Sequence, residues 1–373
     1  LMVPTEILAQ QHAIKLAQLF EPIGVNIALL TSSTVTRVKQ KRELLSNLKK
    51  GTINLVVGTH ALLQPDIEFA NLGLVVTDEQ HRFGVGQRQI LREKGKSPDV
   101  LMMTATPIPR TLALTTYGEM DVSTINELHK GRKIIKTQWL KNKQLASAYE
   151  FIERELNNSS QAYIVSPLIE ESEAMDLKNA EEIFDKTTER FGSRYHVGLL
   201  HGKMSSDEKE NVMTAFKDHK IDVLVATTVI EVGVDVANAT VMMILDADRF
   251  GLAQLHQLRG RVGRGDKQSY CLLISDPKNE YGIARMQIMT ETNNGFVIAQ
   301  KDLELRGQGD ILGNKQSGMP EFKLGDPIND LRILQIAKEE AQQIIGDERF
   351  KQKKENEELI KYLNRTLLGT SFD

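Results

Sequence analysis

The stretch "LGLVVTDEQHRFG", residues 72–84, is a short apolar run that ends in two adjacent acids, Asp78 and Glu79. A run of this length is typical of a buried strand. In an open parallel sheet, ligands bind where the strands end. The acidic pair therefore suits an enzyme that holds magnesium through Asp78 and orients an attacking water with Glu79. Two acids at a strand end are also typical of a turn or a helix N-cap, so other motifs must decide.

The composition of the chain is that of a globular protein with about two or three domains. It has 373 residues, of which 40% are apolar and 26% charged, and a net charge of −3. A protein with this net charge has no overall positive field to attract nucleic acid. The net charge is still compatible with a local basic groove that binds nucleic acid. The one cysteine, Cys271, excludes an intramolecular disulfide and fits a reducing cytosol, so we expect a cytoplasmic protein. No apolar run approaches the length of about 18 residues that a membrane span needs.

Short apolar runs alternate with longer amphipathic runs, which predicts an α/β fold with doubly wound parallel sheets. The predicted strands are residues 53–59, 72–78, 100–106, 161–169, 195–202, 221–229, 240–247 and 270–275. One predicted helix ends at Gly51 as its C-cap, and another begins with the capping box Ser205–Glu208. The predicted regions are a first domain at 1–125, a polar connector at 126–137, a second domain at 138–285 and a part-helical, part-glycine-rich segment at 286–373.

Two hydroxyl residues follow the strand after the acidic pair. Thr104 and Thr106 belong to "TATPIPR", residues 104–110. Because neighbouring parallel strands end at one edge of a sheet, these hydroxyls could hydrogen-bond the carboxylate cluster. Taken alone, the segment is also typical of a threonine-rich strand exit in which prolines prevent a helix.

The segment "QLRGRVGRG", residues 257–265, carries the strongest signal. Gln257, Arg261 and Arg264 are spaced at i, i+4 and i+7, which predicts one face of a helix. Two guanidiniums that converge on one point suit a phosphoryl group in transfer. The alternative is a basic helix end paired with surface acids, although this leaves the spacing of the glycines unexplained.

Further segments place polar residues directly after predicted strands. "TTVIEVGVDV", residues 227–236, suits a cluster near both nucleotide and polymer, or a β-turn at Gly233. Four segments, residues 3–11, 29–34, 56–63 and 199–206, each have a strand followed by a small or hydroxyl residue that opens a helix. Such helix starts bind phosphates without reading bases, or they are ordinary caps.

Together these motifs resemble the RecG family of superfamily 2 helicases, in which two RecA-like domains clamp ATP. The segments that look like motifs II to VI of the family are 78–88, 104–114, 167–173, 198–204, 227–239 and 254–265. "DLELRGQGDILGNKQSG", residues 302–318, resembles a translocation element that the family shares with the transcription-repair coupling factor. That factor is the alternative family, although it tends to have "DEEQRFG" where this chain has "DEQHRFG".

The resemblance implies ATP and Mg²⁺ as cofactors and a role for each motif residue. Asp78 and Glu79 would serve the metal, through water, and the attacking water. The residues implied to couple the γ-phosphate to movement are Gln80, His81, Thr104 and Thr106. The residues implied near the nucleotide are Gly233, Asp235, Gln257, Arg261 and Arg264.

The resemblance also implies that the protein acts on branched double-stranded DNA in recombination and repair. The residues implied along the DNA are Thr5, Thr31, Thr59, His201 and Thr227, with Arg306 and Gln316 in the translocation hairpin. A single-stranded DNA-binding protein is a further implied partner, the protein would be a monomer, and no membrane is involved.

The loop that cradles the phosphates of ATP is missing from this pattern. It requires G-x-x-x-x-G-K-[ST] between a strand and a helix. The one "GKS", at 95–97, has Ile90 where the first glycine should be, and Pro98 follows it. In the family the loop lies upstream of "PTEILAQQ", so we expect a C-terminal part of a longer protein, with an incomplete first domain and no activity alone. The alternative is a truncated DNA-binding module that does not hydrolyse ATP.

Overall fold

The computed structural model describes residues 1–32, 38–106, 121–125, 133–167, 173–227, 236–310, 331–347, 349–350 and 353–367. Within them, every strand pair is parallel. The strands are β1 Ile27–Leu30, β2 Leu55–Gly58, β3 Leu74–Thr77, β4 Asp99–Met102, β5 Lys136–Leu140, β6 Gln161–Val165, β7 Val197–Leu200, β8 Val223–Ala226, β9 Ala239–Ile244 and β10 Tyr270–Ile274. The helices are α1 Glu6–Phe20, α2 Val38–Lys50, α3 Val85–Glu93, α4 Leu145–Asn157, α5 Glu173–Phe191, α6 Ser206–Lys217, α7 Leu252–Arg259, α8 Glu280–Glu291, α9 Gly295–Asp310, α10 Leu331–Gly346 and α11 Glu357–Leu367.

The first four strands form two pairs, β1 with β2 and β3 with β4, and the start of the chain lies between the pairs. Val3 N donates to Gly58 O at 2.9 Å on the β2 side. Met2 N donates to Val76 O at 2.8 Å on the β3 side, and Asp78 N donates to Met2 O at 3.0 Å. Met2 and Val3 are fully buried. The short segment before α1 therefore joins the two strand pairs.

Several apolar side chains of the β3–β4 pair are exposed. Among the described residues β4 pairs only with β3. Leu74, Val100 and Leu101 are 56%, 39% and 49% exposed, which is unusual for strands of a parallel sheet. An open edge of this kind can accept a further strand.

The second region is a six-stranded sheet with the order β5-β10-β9-β6-β8-β7. Every residue of β6, β8 and β9 is buried, as continuous apolar runs predict for strands covered on both faces. Ala148, Ile152 and Leu156 of α4 pack on this sheet. The edge strand β5 was not predicted, because "KTQWL" is partly polar and all five of its residues are partly or fully exposed.

The capping signals in the sequence are confirmed. Ser205 Oγ accepts from Glu208 N, and Glu208 Oε2 accepts from Ser205 N at 2.7 Å, which is a complete capping box before α6. Gly51 follows α2 with a φ of +75°, in the left-handed region that favours glycine.

One local structure occurs twice, directly after β3 and directly after β9. In both places an acid adopts the left-handed conformation, Glu79 with φ 51° and Asp246 with φ 45°. A single 3₁₀ turn follows each acid, at Gln80–Arg82 and at Ala247–Arg249.

The sequence "RFGxxQ" then starts the next helix in both copies, at residues 82–87 and 249–254. Gly84 N donates to Gln87 Oε1 at 3.1 Å, and Gly251 N donates to Gln254 Oε1 at 3.2 Å. This repeat is hard to recognise in the sequence, because only four residues of each copy are shared. The repeat shows that α3 and α7 leave their sheets by the same turn.

The chain divides into two compact units, Leu1–Pro107 with Glu127–Ile298, and Ile108–Asn126 with Ala299–Asp373. The first unit contains all the described strands. In the second unit the described residues are the greater part of α9, the helices α10 and α11 and short connecting segments. Across the described residues, none of the helices combines the length and the apolar character that a membrane crossing requires.

Candidate functional site

The acidic pair lies at the carboxyl end of β3, as predicted. Asp78 and Glu79 have side chains that are 22% and 17% exposed. Asp78 Oδ1 accepts a hydrogen bond from Glu79 N at 2.9 Å, which fixes the turn between them. The left-handed conformation of Glu79 directs the two carboxylates differently from a regular strand, and strain of this kind is common at functional sites.

A histidine from α1 contacts the first carboxylate. His12 Nε2 lies 3.2 Å from Asp78 Oδ2. A carboxylate only accepts, so this nitrogen carries the proton. The hydrogen bond from His12 is the main cause that lowers the pKa of Asp78, with Glu79 N contributing and burial opposing. The sequence analysis did not select His12, although it is seven residues after Thr5 on the same helix.

The pair fits a magnesium ion held partly through water. Mg²⁺ keeps several waters and binds to one or two carboxylates together with substrate phosphates. Asp78 would offer such a carboxylate at the carboxyl end of β3, and Glu79 lies beside it. Within the described ranges, no cluster of three or more His, Cys, Asp or Glu residues forms a cage for a dehydrated ion.

Thr104 and Thr106 lie next to the acidic pair, as the adjacent strand ends predicted. Ala105 N donates to Glu79 Oε2 at 3.4 Å. His81 Nδ1 is 3.6 Å from Glu79 Oε2 and 3.5 Å from Thr104 Oγ1. Thr106 N donates to Thr104 Oγ1 at 3.1 Å. The structure therefore connects the segment after β4 to Glu79.

This network continues into the second parallel-sheet region. Gln257 Nε2 donates to Thr106 Oγ1 at 2.5 Å. Gln257 belongs to α7, which follows β9, whereas Thr106 follows β4. A chain of short contacts thus runs from His12 through the acidic pair to the segment that contains the predicted arginines.

The predicted helical face of Gln257, Arg261 and Arg264 is wrong, because α7 ends at Arg259. Gly260 is the C-cap, and Gly263 has a φ of +75° that turns the chain away from the helix axis. Arg264 is exposed and donates from Nε to Gly260 O at 2.9 Å, while Arg261 is 8% exposed. The arginines are therefore presented by a loop that a helix supports.

Arg259, which the sequence analysis passed over, is the most buried arginine of this segment. It is 1% exposed, and burial lowers its pKa. Its Nη1 donates to Met289 O at 2.8 Å, to Thr292 O at 2.9 Å and to Thr137 Oγ1 at 3.3 Å. The carbonyls of Met289 and Thr292 end α8, where a positive charge is favourable. Arg259 fixes the arginine segment to α8 and β5.

Gln80 is held from two sides. It is 7% exposed, and its backbone N donates to Met103 O at 3.0 Å. Arg88 Nη1 lies 3.4 Å from Gln80 Oε1, so a second arginine that the sequence analysis did not select orients this amide.

The predicted nucleic-acid residues lie at strand ends or at a helix start. Thr31, Thr59, His201 and Thr227 directly follow β1, β2, β7 and β8, and Thr5 is the N-cap of α1, accepting from Leu8 N at 3.4 Å. Thr31, Thr59 and Thr227 are at most 2% exposed, whereas Thr5 and His201 are partly exposed.

Three predicted site positions lie outside what the structure describes, and a fourth is described only in its backbone. Gly233, Asp235 and Gln316 are not among the described residues, and only the backbone of Arg306 is described, within α9. Their roles stay predictions.

Family models define the class of protein. Residues 1–115 match the model described as DEAD/DEAH box helicase, and residues 142–266 match the helicase conserved C-terminal domain. Residues 292–368 match the model described as ATP-dependent DNA helicase RecG, domain 3, C-terminal. Parallel sheets with an acidic pair on one and an arginine segment after the other are the arrangement of a superfamily 2 helicase.

Curated relatives identify the family within that class. RecG of Bacillus subtilis (strain 168) is 57% identical over 350 residues, which are 94% of this chain and 51% of the relative. RecG of Staphylococcus epidermidis (strain RP62A) is 53% identical over 374 residues, 100% of this chain and 54% of the relative. The chain belongs to the RecG family, and it spans about half the length of the curated relatives it matches.

Solved structures agree with this assignment. RecG bound to a three-way DNA junction is 43% identical with a TM-score of 0.70, over 89% of this chain and 43% of that one. Mss116p bound to single-stranded RNA and AMP-PNP is 17% identical with a TM-score of 0.59, over 91% and 70% of the two chains. At 17% identity the likeness concerns the fold alone. The predicted α/β fold and the predicted resemblance to RecG are confirmed.

Proposed function

We propose that the chain is part of an ATP-driven motor that moves on branched double-stranded DNA in recombination and repair. The observation that carries the proposal is the contact network from Asp78 and Glu79 through Thr104 and Thr106 to Gln257. Such a network can report the state of a bound nucleotide to both parallel-sheet regions. The junction-bound RecG structure and the RecG relatives support branched DNA as the substrate class.

Each residue has a defined task in this proposal. Asp78 holds the waters of a magnesium ion, which would neutralise charge on the phosphates when bound. Glu79 orients and deprotonates the attacking water, and His81 and the backbone N of Ala105 hold its carboxylate. Arg261 and Arg264 stabilise the charge that develops on the transferred phosphoryl group. The hydrogen bond between Gln257 and Thr106 holds the arginine segment next to the segment that follows β4.

The chain needs a phosphate-binding loop that its own sequence does not contain. The open edge of β4 can accept a further parallel strand, and such a strand commonly leads into that loop. We therefore expect no ATP hydrolysis by the 373 residues alone. A single-stranded DNA-binding protein as partner, a monomeric state and a cytoplasmic location belong to the same proposal.

The contacts to DNA are proposed to be with the backbone. Thr5 and His201 are the partly exposed members of the predicted set, whereas the buried hydroxyls of Thr31, Thr59 and Thr227 shape the strand ends beneath them. Binding should therefore be largely independent of sequence and should weaken steeply with salt.

The test uses the chain fused to the segment of a RecG relative that carries the phosphate loop. We expect DNA-stimulated ATPase activity, reduced about 100-fold or more by Glu79→Gln and about 1000-fold by Arg264→Ala. Glu93→Gln, on the exposed side of α3, is the matched control and should keep the activity. Activity that survives both site changes contradicts the motor. A fusion that binds DNA without hydrolysis favours a DNA-binding module instead.

A further inference from the structure

We propose that His12 is a positioning residue that ties the orientation of Asp78 to helix α1, so that nucleic acid bound at the start of α1 adjusts the magnesium carboxylate. The inference rests on the proposed function, and it adds a residue and a route that the motif pattern does not contain. The contact that carries it joins His12 Nε2 to Asp78 Oδ2 at 3.2 Å.

Asp78 is held at two points by the same N-terminal segment. Its backbone N donates to Met2 O at 3.0 Å, and its side chain accepts from His12. Met2 precedes α1, and His12 lies in the middle of that helix. A shift of the segment therefore moves both the main chain and the carboxylate of Asp78.

Helix α1 is suited to transmit such a shift. Thr5 caps its first turn, and His12 lies seven residues later, about two turns and about 10 Å along the axis. Ala9 lies between them and is fully buried. It packs in one cluster with Val3 and with Val57 of β2. Thr5 and His12 are therefore two ends of one packed, rigid element.

The pair is more than a contact between two solvated side chains. His12 and Asp78 are 31% and 22% exposed, so neither is a freely rotating surface group. The other Asp78 oxygen accepts from Glu79 N. Removal of the imidazole leaves Oδ2 without this donor, and the carboxylate can then rotate. A glutamine at position 12 can place an amide nitrogen near the site of Nε2, whereas leucine cannot.

The first test uses the 373-residue chain without nucleotide or metal. The imidazole resonances of its eight histidines are recorded, and His12→Gln assigns the signal of residue 12. Addition of a three-way DNA junction should shift the His12 signal, and Thr5→Ala should reduce that shift. His196, whose side chain is 83% exposed in the other parallel-sheet region, provides the reference signal. Bound DNA with an unchanged His12 signal overturns the inference. A chain that binds no DNA contradicts the proposed function, and the inference falls with it.

The second test measures ATPase rates in the fused protein with and without DNA. His12→Leu should lower the ratio of stimulated to basal rate by at least about fivefold, the lower range of measured couplings between sites. The DNA concentration for half-stimulation should change less than twofold, and His12→Gln should restore most of the ratio. His196→Leu is the matched control. An equal loss of basal and stimulated rates, or an unchanged ratio, overturns the inference, whereas a wild-type fusion without stimulation contradicts the proposed function instead.

Discussion

Gln257 donates a hydrogen bond of 2.5 Å to Thr106, although the two residues are 151 positions apart. Each is close to its own half of the site, since Thr106 N donates to Thr104 and Gln257 belongs to the helix that leads to Arg261. The contact is therefore the point at which the strand-end network of the first region meets the arginine segment.

This contact should be measurable as a coupling free energy. Thr106→Val and Gln257→Ala, singly and together, should show a coupling of about 0.5–1.5 kcal/mol in the free energy of unfolding, as expected for one neutral hydrogen bond. Urea unfolding of the four proteins gives the value. The exposed pair Gln89 and Glu93 in α3, at 2.9 Å, is the matched control and should couple by at most about 0.5 kcal/mol. Additive effects at Thr106 and Gln257 contradict the contact.

The sequence predicted the strands well because continuous apolar runs allow few other structures. It missed β5, since an edge strand needs no such run, and it misjudged the arginines, since spacing alone cannot show that Gly260 ends the helix. Asp78, Glu79, Thr104 and Thr106 were expected at one edge, because parallel strands end together.

The contacts that complete the site could not be predicted in the same way. His12 and Arg259 are distant in sequence from their partners, and they lie on elements whose packing decides what they touch. The only sequence signal for His12 is its spacing of two helical turns from Thr5. From the sequence alone, His12 cannot be distinguished from a solvent-exposed helix residue such as glutamine or lysine.

Arg259 and Arg264 should differ sharply in their effect on stability. Arg259→Ala removes the hydrogen bonds to Thr137, Met289, Thr292 and His256. It leaves the buried Met289 carbonyl and the partly buried Thr292 carbonyl without this donor, so we expect a loss of about 2–4 kcal/mol. Arg264→Ala removes an exposed side chain and should cost about 0.5 kcal/mol or less. Urea unfolding of both variants decides the matter. If both variants lose the same free energy of unfolding, the buried hydrogen bonds of Arg259 do not stabilise the fold.

Cys271 should make the free energy of unfolding depend on pH in the alkaline range. Burial raises the pKa of this thiol to about 12, so the folded chain retains the proton after the unfolded chain has lost it. The contribution is fully present below the unfolded pKa near 8.5–9, and it falls by about 1.4 kcal/mol per pH unit between that value and 12. Unfolding of wild type and Cys271→Ala at pH 7, 9 and 10 isolates this slope as the difference between the two proteins. A constant difference across that range would contradict a neutral buried thiol.

The left-handed acids should reverse the usual ranking of alanine and glycine. A side chain in this conformation costs about 1–2 kcal/mol, and glycine does not incur that cost. Glu79→Gly and Glu79→Ala both remove the carboxylate, so their difference in unfolding free energy reports the backbone alone. We expect the glycine variant to be more stable by about 1 kcal/mol, and the same order at Asp246, because both residues occupy equivalent turns.

At Glu150, an exposed position inside α4, glycine should instead be less stable than alanine by about 1 kcal/mol. If alanine is the more stable at all three positions, Glu79 is not held in a strained turn. If the order reverses only at Glu79 and Asp246, the same strained turn serves both sheets, and in the first it aims the carboxylate that we propose as the base.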